Sequence, residues 1–139
     1  MVHVFTAILQ EMPIIAGVYL NRPRNPSRPA RLLQADPTVS YGCEPFVRPR
    51  APSCVTYKGT LGRRQLDDVA NPYNTYKHPG LPPGPIAAPG IDALRAAHRP
   101  ASVPYLYFVA AASGDGTHVF SKTYPEHQKA VDALRTSGH

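Results

Sequence analysis

The sequence predicts an α+β chain on three observations. Helical signals come early, prolines break up the middle, and a strand–turn–strand pattern near the end leads into a capped helix. Pro13 suits the first turn of a helix. Ile14, Ile15, Val18 and Tyr19 then fall at helical spacing, which predicts a short buried helix over 13–21. Residues 22–33 read as arginine- and proline-rich coil. Asp36-Pro37 reads as an N-cap and a first helical position, opening a brief helix that ends at Gly42. A long loop over 43–60 and a short helix around 63–69 follow.

The stretch 71–90, NPYNTYKHPGLPPGPIAAPG, carries six prolines. Each removes a donor and clashes with a preceding helical turn, so helix is excluded, and so is a central strand. Ile91, Leu94 and His98 make a three-turn amphipathic helix that stops before Pro100. The run YLYFVAA, residues 105–111, is nearly continuous apolar and aromatic, the pattern of a strand buried on both faces. SGDG then turns the chain into THVFS, so the two strands are expected to form a hairpin. The last helix opens with a capping box, Thr123 to Glu126, carries Val131 and Leu134 inward, and closes at Gly138.

At 139 residues the chain is one domain by length, and 17 prolines make it loop-rich. Apolar clusters along its whole length argue against disorder. The net charge of +6 is unevenly placed. Arg22, Arg24, Arg28, Arg31, Arg48 and Arg50 sit in proline-broken coil, followed by Lys58, Arg63 and Arg64. Such a coil is either a solvated basic loop or a surface for nucleic acid or another polyanion. No zinc finger, helix-turn-helix or aromatic RNA-binding signature accompanies it. Cys43 and Cys54 either close a small ring in an oxidising compartment or remain two thiols. His3, His78, His98, His118, His127 and His139 show no metal-ligand spacing, and no metal is expected. The first apolar stretch, AILQEMPIIAGVYL, is too short and too polar to span a bilayer and lacks a signal-peptide cleavage pattern.

Several segments together resemble the C-terminal catalytic domain of the endolytic murein transglycosylases (MltG-type, YceG-like). They are IIAGVYLNR (14–22), LLQADPTVSYG (32–42), NPYNTYKHPGLPPGPIAAPG (71–90), YLYFVA (105–110) and HVFSKTYPEHQKAV (118–131). They occur in the family's order and place the domain over 13–139. The resemblance implies cleavage of peptidoglycan within glycan strands, between N-acetylmuramic acid and N-acetylglucosamine. In that reaction the muramyl O6 attacks its own anomeric carbon and leaves a 1,6-anhydro end. One carboxylic acid suffices: it protonates the leaving oxygen and then accepts the O6 proton. Ordinary glycosidases need a carboxyl pair because they activate water or form a covalent intermediate.

On this reading the stiff loop is a preformed groove, so little ordering cost falls on binding. Tyr73, Asn74, Thr75 and Tyr76 would offer sugar-stacking faces and polar partners. Gly80, Leu81, Pro82 and Pro83 would bring backbone close to the substrate, with Gln34, Asp36 and His118 reaching the cleft. The alternative is a scaffold loop whose tyrosines pack inward, with Asp36 a helix cap and His118 a structural histidine. The family's catalytic glutamate lies in a motif resembling A-S-I-V-E-K-E, which residues 1–12 lack. This segment is expected to be truncated or divergent. Glu11 matches a second family acid and is the remaining catalytic candidate, since Glu44 lies in the loop and Glu126 in the capping box.

The family places its members at the outer face of the cytoplasmic membrane, with peptidoglycan and the cell-wall synthesis machinery as partners; the family's membrane anchor is absent from these residues. A glycan-binding module without turnover, and a basic nucleic-acid or interaction domain, are the competing readings. An older family label, aminodeoxychorismate lyase, would need pyridoxal phosphate on Lys58, Lys77, Lys122 or Lys129. None of these lies in a cofactor motif, so no cofactor is expected.

Overall fold

The computed structural model describes residues 8–26 and 31–138. Most of the N-terminal segment and part of the arginine-rich coil, including His3 and Arg28, lie outside the described residues, as does His139. Among the described residues, five α-helices and one antiparallel hairpin make the fold α+β, as expected. Two compact units divide the chain: a central unit, Pro23–Ala88, and a split unit, Val2–Arg22 with Pro89–His139.

In the split unit, α1 spans Met12–Arg24, longer than the apolar spacing marks. Its extension is held by side chains. The Asn21 amide donates to the Val103 and Tyr105 carbonyls at 2.6 and 2.9 Å, and Arg22 Nε to that of Leu106 at 2.9 Å. Arg22 is thus a buried anchor and not solvated coil. Pro23 falls in the last turn, where its ring removes the donor that an ordinary residue would offer to the Tyr19 carbonyl, and the helix ends one residue later. Ile15, Ala16, Val18 and Tyr19 are buried. At Gly17 a Cβ would run into the Ala101 carbonyl. Glycine is therefore required for segment 101–103 to lie on the helix, where Ala101 N–H donates to Pro13 O at 2.9 Å.

Helix α2 in the central unit spans Asp36–Gly42. The expected Asp36 cap is corrected: Ala35 holds the cap position, with no side-chain cap bond. The Ala35 N–H is taken instead by Thr75 Oγ1 at 2.9 Å. A 3-10 turn over Pro52–Thr56 interrupts the loop, and α3 is confined to Arg63–Asp67. Cys43 and Cys54 form a disulfide and pack with Ala51 and Tyr57.

Helix α4 spans Ile91–His98. Its buried residues are Ala93 and Ala96, while Ile91 and Leu94 are exposed, the reverse of what their size suggests. Strand β1 is shorter and less buried than its apolar run predicts. It covers Tyr107–Ala110, pairs only with β2 (His118–Ser121), and stays half-buried. Register runs from Tyr107 opposite Ser121 to Ala110 opposite His118. Helix α5, Tyr124–Thr136, opens with the expected capping box. It turns His127, Ala130, Val131 and Leu134 to its half-buried side. That spacing is one stripe of a helix.

Candidate functional site

In the split unit Glu11 and His118, far apart in sequence, form a pair. Glu11 stands immediately before α1, and His118 opens β2. Glu11 Oε1 accepts the His118 backbone N–H at 2.9 Å, and Oε2 lies 2.8 Å from His118 Nδ1. Both side chains are about nine-tenths buried. With an ionised Glu11, Nδ1 carries the ring hydrogen and a neutral ring keeps Nε2 as acceptor. Phe108 packs on the His118 ring at 5.6 Å and meets Tyr19 edge-on at 5.8 Å. The Arg22 guanidinium lies over both Tyr19 and Phe108. A carboxylate with both oxygens held by one neighbour is suited to clamping a strand to a helix start.

His127, on α5, stacks on Tyr107 at 5.2 Å. Burial, and then the Arg22 charge, hold its imidazole below the ordinary value.

In the central unit the loop from Asn71 to Tyr76 is a hydrogen-bonded cassette. Asn71 Oδ1 accepts Tyr73 N–H and its amide donates to Val39 O, at 3.0 and 3.1 Å. Asn74 repeats the turn: Oδ1 accepts Tyr76 N–H at 3.0 Å, while Nδ2 reaches the carbonyls of Gln65, Leu66 and Asp68. These are Asx turns. Thr75 Oγ1 meets Thr38 Oγ1 at 2.8 Å, and Thr75 O accepts Gln34 N–H at 3.1 Å. A side chain at Gly42 would collide with the Asn71 carboxamide, so α2 ends on a glycine for contact reasons too.

Asn74 and Thr75, expected to offer polar partners to a sugar, are fully buried. Their polar side-chain atoms are bonded to Ala35, Thr38, Gln65, Leu66 and Asp68 and to Tyr76 N–H. Tyr73 and Tyr76 are half-buried, and the Tyr76 hydroxyl donates to Asp36 Oδ1 at 2.6 Å. Gln34 has a left-handed backbone, φ +52°, unusual for a residue with a side chain. Such strain clusters at functional positions. Leu81, Pro82, Gly84, Pro85 and Ile86 line an open hollow of about 340 Å³. Leu81 is 82% exposed there. Gly80 precedes the hollow with φ +82°.

Cationic side chains of the basic region are partly spent within it. Arg48 donates to the Pro45 and Val47 carbonyls, Arg50 to that of Cys54. Arg63 and Lys77 pair with Asp67 at 2.6 and 3.0 Å. Lys77, then Arg63, hold that carboxyl below its usual value. This weakens the polyanion reading, which needs an unspent array. No helix among the described residues is long and apolar enough to cross a membrane.

Sequence reasoning missed Asn71, Thr38 and Gln65 as buried polar partners. The repeated Asn at 71 and 74, each before a turn, was the available signal.

These features, a braced proline-rich loop and a helix start clamped to a hairpin, define a small α+β domain of recognisable type. The model of the YceG-like family matches residues 1–133, and the chain belongs to that family. It is 40% identical over 123 residues to the endolytic murein transglycosylase of Bacillus subtilis (strain 168), covering 88% of this chain and 29% of that protein. The endolytic murein transglycosylase of Streptococcus pneumoniae serotype 2 (strain D39 / NCTC 7466) is 29% identical over 130 residues, 88% of this chain and 20% of its own length. A solved YceG-like protein from Listeria monocytogenes superposes with a TM-score of 0.64 at 35% identity, over 90% of this chain and 38% of that one. The chain therefore spans less than a third of the length of the curated relatives it matches.

Proposed function

We propose that this chain is the glycan-holding part of an endolytic murein transglycosylase acting on peptidoglycan in the cell envelope, at the outer face of the cytoplasmic membrane. The observation that carries the reading is the 40% identity to the Bacillus subtilis enzyme along 88% of the chain. The braced loop supports it, because a preformed groove lowers the cost of ordering on binding. The Cys43–Cys54 disulfide suits an oxidising compartment outside the cytoplasm.

In the reaction, a protonated carboxyl gives its proton to the glycosidic oxygen as the muramyl C1–O bond breaks. The muramyl O6 closes on C1, and the resulting carboxylate takes the O6 proton. We assign glycan contact in the central unit to Gln34, Asp36, Tyr73, Tyr76, Gly80, Leu81, Pro82 and Pro83, and separately in the split unit to His118. Glu11, with both oxygens on His118, is proposed as a positioning residue. A binding module without turnover is the second reading, favoured by the engagement of both Glu11 oxygens. Cell-wall synthesis enzymes are the proposed partners.

The test is incubation of the chain with purified sacculi, followed by pull-down and mass spectrometry of soluble fragments. Binding with little 1,6-anhydromuropeptide is expected. Leu81→Ser should weaken binding with unchanged melting, since Leu81 is 82% exposed. Abundant anhydro products, abolished by Glu11→Gln, would make Glu11 the acid.

A further inference from the structure

We propose that Phe46, Tyr41 and Tyr73 form an additional sugar-stacking subsite, an arm of the glycan groove held in place by the Cys43–Cys54 disulfide. The inference rests on the glycan-binding reading above and extends it to residues outside the proline-rich loop. Phe46 is 67% exposed, yet the residues flanking it in the loop are held in place. The disulfide closes the segment from Cys43 to Cys54. Glu44 N–H donates to Tyr41 O at 3.0 Å and Val47 N–H to Glu44 O at 3.1 Å. Val47 is buried, and the Arg48 guanidinium donates to the Pro45 and Val47 carbonyls. A large ring presented to solvent on so constrained a loop does little for the core. It is the arrangement expected of a preorganised contact.

The rings form a continuous strip. Phe46 meets Tyr41 at 5.5 Å, nearly edge-on, and Tyr41 meets Tyr73 at 4.9 Å. Tyr73 in turn places its hydroxyl against Gly84, where an added Cβ would lie only 3.3 Å away. The strip thus runs from the disulfide loop to the hollow lined by Leu81, Pro82 and Ile86.

The chemistry of this strip favours a sugar chain over other occupants. The aliphatic C–H face of a pyranose packs on aromatic rings, and tyrosine hydroxyls add polar contacts at the edge. Arg48 and Arg50, on the same loop as Phe46, donate to carbonyls of that loop.

Peptide-free glycan strands, released from sacculi by an amidase and fractionated by length, supply the probe for the full chain. Phe46→Ala should lower affinity for long strands about fivefold or more. It should leave affinity for a single disaccharide unit and the melting temperature unchanged, and Phe46→Trp should restore long-strand binding. Wild-type binding with no effect of Phe46→Ala would overturn the subsite alone. Absence of glycan binding by the wild type would overturn both this subsite and the glycan reading. Conversion of a self-associated species to monomer by Phe46→Ala, with glycan affinity intact, would assign the strip to a second copy of the chain.

Discussion

The central and split units reach a fixed structure by different means. The central unit has only short helices, and its order comes from point contacts. Asn71, Asn74 and Thr75 satisfy backbone groups that no ladder serves, and a disulfide closes the loop from Cys43 to Cys54. The split unit relies on repeating elements: a thirteen-residue helix at each end of its sequence and a hairpin between them. Point contacts concentrate stability in few residues. Repeating elements spread it over many. A loop built the first way can stay rigid while leaving its outer surface free to bind.

The sharpest way to break this comparison is Asn74→Ala. It leaves the carbonyls of Gln65, Leu66 and Asp68 without their shared donor in a buried site. A loss of about 3 kcal/mol or more is expected in urea unfolding. Asn74→Asp should be no rescue, because a carboxylate cannot donate. A loss under about 0.5 kcal/mol, as for an ordinary surface change, would mean that the loop is held by something else.

Next in size is the disulfide. Replacing Cys43 and Cys54 with alanine should cost up to about 3 kcal/mol in the loop-entropy account. The same decrement should follow reductant treatment of the wild type and be absent from the double variant. Two titratable thiols in protein recovered under oxidising conditions would contradict the bond.

The smallest expected effect lies in the split unit. Burial and Arg22 depress the His127 pKa in the folded state, so the unfolded chain binds that proton more readily. The associated stability is complete above the ordinary imidazole value near 6.5 and is lost as pH falls through it toward the lower folded value. His127→Gln should flatten the slope of stability against pH below that value. An unchanged slope would place the titration elsewhere.

Regular elements were legible in the sequence where a local device announced them. Pro13 marked the start of α1, SGDG the hairpin turn, and Thr123 with Glu126 the start of α5. Burial was less legible. Ile91 and Leu94 share the apolar spacing of α4, but Ala93 and Ala96 are inside. Periodicity identifies a stripe, and close approach of neighbours then selects small residues for contact. The apolar run at 105–111 overstated strand burial for a similar reason: composition does not say how many neighbouring strands exist. At the candidate site Glu11 and His118 each stood out, but their pairing did not, since no local pattern links the start of α1 to β2. Asn74 and Thr75 stood out as polar groups in a stiff loop; only the geometry shows that they face inward.

The Glu11–His118 clamp has a consequence for the order of assembly. It joins positions 107 residues apart, and the unit it closes is built from two stretches separated by the whole of Pro23–Ala88. Long-range closures form late, because their entropic cost falls due before the contact exists. On a ribosome, the central unit has all its residues available while α1 still lacks the segment from Val103 to Leu106 that holds Asn21 and Arg22. The buried face of α1 therefore spends the early life of each molecule without its mates, and that interval is when a chaperone would meet it.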